Sequence, residues 1–168
     1  MKINLFAAVT LAIAMMLPSA ALAKKNDEKI VPEYQVEGAG TTSGNSRLVR
    51  VYILSKKKDV TDEQLGTCAV HAVLFRDIDD LAGSGFGSTS SHKAIMQSPS
   101  AEAQHIDFFE PFFRNGDCNK YVQVVGDSRR VVKTGKQYKT SAEVRVNTTQ
   151  LKKDLKAQGM VKDLGSGW

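Results

Sequence analysis

Apolar and polar residues alternate most regularly over residues 48–55, where Val49, Val51 and Ile53 point one way and Leu48, Arg50, Tyr52 and Leu54 the other. A second alternation fills residues 138–146, with Ala142, Val144 and Val146 set against Ser141, Glu143 and Arg145. Both predict half-buried strands. A shorter strand is expected over residues 34–37, closed by Gly38-Ala39-Gly40 and joined to residues 48–55 as a hairpin. Residues 121–125 and 130–132 read as further strands.

Helical spacing occurs in three places. Thr61-Asp62-Glu63-Gln64 carries a capping box, followed by Leu65, Cys68, Ala69 and Ala72 on a common face. The run Val73-Leu74-Phe75 then reads as a buried strand. Ser98-Pro99 opens a second helix with Ala103, Ile106 and Phe109 on one side, which Pro111 is expected to end or kink, leaving Phe112 and Phe113 to plug the core. Asn147 caps a third, whose Leu151, Leu155 and Ala157 turn inward, and Gly159 ends it. Residues 77–91, rich in Gly and Ser, read as a long exposed loop. Strand pairs mixed with helices predict an α+β fold: a single two-layer domain, mainly antiparallel sheet with helices on one face.

The first residues add a location. Lys2 supplies positive charge, residues 5–17 are almost continuously apolar, and Pro18-Ser19 precedes Ala21-Leu22-Ala23. That order of charge, apolar run and small-residue site predicts a cleavable signal peptide over residues 1–23. The apolar run is shorter than the about 20 residues a spanning helix needs, so no stable membrane insertion is expected after cleavage. Residues 24–29 read as a flexible leader and residues 30–168 as the domain, placed in the periplasm or secreted. The formal net charge of +5 is modest and its Lys and Arg are dispersed, which argues against nucleic acid as a partner.

Candidate chemistry is sparse. Cys68 and Cys118 are the two cysteines of the chain, and in an exporting compartment they are expected to form a disulfide, the alternative being an inert buried thiol at Cys68. Cys68 and His71 share a helix face and, with His105, are the candidate metal ligands, although no complete ligand pattern follows them and no cofactor is implied. No catalytic residues are assigned: His105, Asp107 and the loop serines form no motif, and Gly83-Ser84-Gly85-Phe86-Gly87-Ser88 lacks the context of a phosphate loop. Phe108, Phe109, Phe112 and Phe113 fall within six residues, and at helical spacing all four cannot enter one core stripe, so an exposed interaction patch is expected among them, together with the loop over residues 83–91.

Four segments, VEGAG with SGNSRLVRVYILSKK, TCAVHAVLFRDI, AEAQHIDFFEPFF and VNTTQLKKDLKAQGMVKDL, together resemble uncharacterised exported envelope proteins of Bacteroidota-type bacteria. The resemblance covers most of the chain after the signal and implies an association with envelope assembly or curli-like export, with no catalytic residues to carry over. The expected function is therefore a non-catalytic exported protein that binds an envelope protein partner. The alternative is a small-ligand or metal-binding periplasmic protein using His71 with Cys68 or His105, and a hydrolase comes third.

Overall fold

The computed structural model describes residues 29–42, 46–80, 91–98 and 100–161. The expected signal peptide over residues 1–23, residues 24–28 of the leader, and residues 81–90 of the expected loop lie outside the described residues. Among the described residues no helix is long and apolar enough to cross a membrane.

Two long strands, β1 (Tyr34–Thr42) and β2 (Ser46–Ser55), form the expected antiparallel hairpin. The chain then enters α1 (Asp62–Phe75), a two-stranded ribbon of β3 (Ile78–Asp79) and β4 (Ser91–His92), and two short helices, α2 (Ala101–Gln104) and α3 (Ile106–Arg114). A 3-10 turn (Asp117–Tyr121) leads into β5 (Val122–Val124), β6 (Arg130–Thr134), β7 (Gln137–Val146) and finally α4 (Thr148–Ala157). The main sheet is antiparallel in the order β1-β2-β7-β5, and β6 pairs with β7 as well. Since β2 runs along the whole of one side of β7, β5 and β6 share its other side, β5 at residues 144–146 and β6 at residues 137–141.

The two alternations meet in register. Val49 faces Val144 and Val51 faces Ala142 across the ladder, and all four are buried on the inner face. The outer face is polar, with Arg50 paired to Glu143 and the Tyr52 hydroxyl donating to Glu37 at 2.8 Å. The helices supply the other layer, so the α+β fold stands as expected.

Three expectations about the elements are corrected. First, β1 continues past Gly38 to Thr42 through an irregularity between Gly38 and Thr41. Gly38 is there because Asp80 passes beside it: a Cβ at that position would lie 2.0 Å from Asp80 Oδ1. Second, Val73, Leu74 and Phe75 are helix, not strand. The last carbonyls of a helix need outside donors, and here the N–H of Ile95 donates to Val73 O at 3.1 Å and that of Met96 to Leu74 O at 2.8 Å. Third, α3 runs through Pro111 to Arg114. The proline removes one backbone hydrogen bond, but Phe112 and Phe113 beyond it are buried, which holds the last turn in place.

α1 is the centre of the molecule. Residues from Leu65 to Leu74 are buried except His71, because the sheet covers one side of the helix and α3, the 3-10 turn and residues 95–96 cover the other. Both of its expected caps are present: Thr61 Oγ1 accepts from Gln64 N at 3.2 Å, and Gln64 Oε1 accepts from Thr61 N at 3.0 Å. In α4, Asn147 Oδ1 accepts from Gln150 N at 3.0 Å, and Leu151 and Leu155 join the same core.

Candidate functional site

His71 interrupts the buried run of α1 because its imidazole has polar work on both sides. Its Nδ1 lies 2.7 Å from the hydroxyl of Tyr34, at the start of β1, and its Nε2 lies 3.2 and 3.3 Å from the two carboxylate oxygens of Glu102 on α2. A carboxylate can only accept, so the ring proton belongs on Nε2, donated to Glu102, and the phenol donates to Nδ1. The imidazole is also boxed in by rings, with Phe75 at 5.1 Å one helical turn on and Phe113 of α3 at 5.6 Å between centroids.

These residues line a pocket of about 490 Å³. Residues 29–33 form one rim, Ile106, Phe109 and Phe113 form an apolar wall, and Arg76, which caps α1, lies with its guanidinium 4.3 Å over the Tyr34 ring. Burial governs the titration of the polar groups: it pushes the Tyr34 phenol well above its ordinary value, against the pull of Arg76, and lowers the His71 imidazole, against the pull of Glu102. The site therefore presents a neutral phenol and a neutral imidazole between two charges. His71 has 13 % of its side chain exposed, whereas Glu102 is open at 42 %.

The charged groups around the mouth are mostly committed to one another. Lys29 pairs with Glu33 at 2.6 Å, and Glu110 with Arg114 at 2.6 Å. Among the described residues no carboxylate lies within ion-pair distance of Arg76. Among the described residues its guanidinium packs over the Tyr34 ring and makes no side-chain hydrogen bond.

The residues expected from sequence to carry a site are distributed differently. Of the four phenylalanines, Phe109, Phe112 and Phe113 are buried and Phe108 is half-buried against them, so the expected patch is reduced to the open part of Phe108. Positions i, i+3 and i+4 of α3 make a single inward face, and Phe108 closes it by stacking on Phe112 at 5.4 Å. Ile106, expected to face inward, is instead 48 % exposed, and Ala103 is exposed with it.

The expected disulfide is absent from the structure, in which Cys68 and Cys118 stand as two free, buried thiols. Cys118 Sγ lies 3.5 Å from Thr67 Oγ1. Burial pushes the Cys68 thiol up to about 12. The candidate metal ligands do not converge either. Cys68 is in the core, His71 is held by Tyr34 and Glu102, and His105 sits at the junction of α2 and α3, lining a different pocket beside Met96 and Lys152. Among the described residues no three His, Cys, Asp or Glu side chains gather as a metal site.

Of the pocket's polar residues, sequence reasoning singled out only His71. Tyr34 and Glu102 stand 37 and 31 residues from it, one on a strand and the other on a separate helix, and no local pattern links them. Fold and geometry together define a class: an α+β domain with a polar chain set into a partly apolar pocket. No family model, no curated protein and no solved structure matches the chain.

Proposed function

We propose that this is an exported small-ligand-binding protein whose site is the His71 pocket. One observation carries the reading: Tyr34, His71 and Glu102 form a continuous hydrogen-bonded chain in a pocket of about 490 Å³ with Ile106, Phe109 and Phe113 as its wall. Convergent polar groups on an apolar background, in a cleft of this size, are the usual make-up of a small-molecule site. Export is supported by the order of charge, apolar run and small residues over residues 1–23. Binding of an envelope partner through the phenylalanines has less to support it, because three of the four rings are buried.

The test is a nuclear magnetic resonance screen of the purified protein against a fragment library spanning neutral, anionic, cationic and zwitterionic molecules. Saturable shifts of the His71 ring signals are expected from at least one class, and they should vanish in Ile106→Trp, which fills the pocket from an exposed position. A library that leaves His71 unmoved, or binders indifferent to Ile106→Trp, would overturn the assignment.

A further inference from the structure

The charges around the pocket say more than that it binds something. Resting on the ligand-pocket reading, we propose that the site takes a small zwitterion with an apolar side chain, of the α-amino acid class, its carboxylate on Arg76 and its ammonium on Glu102. Lys29 with Glu33 and Glu110 with Arg114 are closed ion pairs at the rim. That leaves one cation and one anion lining the same pocket, Arg76 and Glu102.

Each has bonding capacity to spare. The guanidinium of Arg76 lies over the Tyr34 ring and is exposed, and among the described residues no ion pair occupies it, so its N–H groups are available to fork a carboxylate. Glu102 uses both oxygens on a single nitrogen of His71, at 3.2 and 3.3 Å, and a carboxylate has about four acceptor positions. An ammonium with three donors fits the remainder.

Between the two charges lie Tyr34 and His71, both held neutral, so neither adds a charge that would have to be matched. Both charges reach solvent, so a ligand with one charge engages one of them and leaves the other to water, gaining at one point where two are offered. A ligand with both ends charged compensates both, and its side chain lies against Ile106, Phe109 and Phe113. Complementarity of charge at two points and of polarity at a third selects this class over plain acids, plain amines and sugars.

Isothermal titration calorimetry on the full chain tests it with L-phenylalanine and L-leucine against phenylalanine amide, which lacks the carboxylate, and 3-phenylpropionate, which lacks the ammonium. Both amino acids should bind, and each single-charge analogue should bind about tenfold more weakly or worse, a difference readily resolved. Arg76→Gln should erase the preference over the amide, and Glu102→Gln the preference over 3-phenylpropionate. Both positions are solvent-accessible, so the variants should keep the wild-type melting temperature, and a binding loss counts only where they do. Equal binding of an analogue and its parent amino acid, no binding of either amino acid, or unchanged affinity in both variants would overturn the proposal. If the fragment screen still shows His71-centred binding of another class, the pocket reading survives and only the zwitterion falls; if it shows none, both fall.

Discussion

His71 is a neutral imidazole by position, and that fixes a sign. Burial lowers its pKa from the ordinary 6.5, so an unfolded chain takes up a proton at a pH where the folded chain does not yet. Stability linked to this residue is therefore complete above about pH 6.5 and is lost as pH falls from there through the lowered folded value. Melting temperature measured from about pH 7.5 to about pH 5 should fall more steeply for the wild type than for His71→Gln, whose amide can still bond Tyr34 and Glu102 without titrating. Parallel curves would show that the imidazole does not couple to folding. At this scale the sequence singled out His71 through its spacing from Cys68, a relation the structure does not use, whereas the partners that matter come from β1 and α2. A residue's own neighbours on its helix are visible in a sequence; the groups that folding brings to it are not.

Gly66, in the middle of α1, sets two element-level effects against each other. Alanine gains about 1 kcal/mol over glycine in an exposed helix interior. Here, however, a Cβ would lie 2.5 Å from Asn119 Oδ1 and 2.7 Å from Val122 Cγ2, which is far inside contact distance. Overpacking of that kind costs about 1 to 3 kcal/mol, so contact outweighs propensity and Gly66→Ala should lower the urea midpoint. A raised midpoint would mean that the 3-10 turn gives way freely. The same helix shows what patterning can and cannot supply. Its start was legible because a capping box is local chemistry, with both bonds made within four residues. Its end was not, since a short apolar run such as Val73-Leu74-Phe75 suits a buried strand and a fully buried helix equally, and the donors that favour helix come from residues 95 and 96. In β2 and β7 the period of two settled the matter, because one face is wet and the other dry.

Across the whole molecule the aromatic cluster is a load shared by every layer. Phe109 touches Phe75 of α1 at 4.9 Å, Phe113 touches His71, and Phe112 touches Tyr121, whose hydroxyl donates to Asp154 of α4 at 2.6 Å. Phe109→Ala should accordingly cost about 3 to 5 kcal/mol of unfolding free energy in urea titration, the range for truncating a buried phenylalanine. A loss below about 1 kcal/mol would return this ring to the surface. The α+β class was legible at this scale because strands and helices each announced their own period, and so was the burial of Phe112 and Phe113; the helix that carries them past Pro111 was not, since the packing that holds its last turn is made by distant residues.

One feature of the sheet reaches beyond the single molecule. All five residues of β6 are exposed, Val132 to 58 %, and the strand pairs with β7 along one side only. Such a rim is a template on which another chain could knit itself, the first step towards aggregation. Arg130 and Lys133 stand on that rim, so two copies approaching edge to edge bring like charges together before any backbone bond can form. That repulsion is a long-range guard which dissolved salt thins, with a reach of about 10 Å in 0.1 M salt and about 3 Å in 1 M. The protein is therefore expected to stay dispersed in dilute buffer and to grow stickier in brine, its colloidal behaviour resting on two cations of an edge strand.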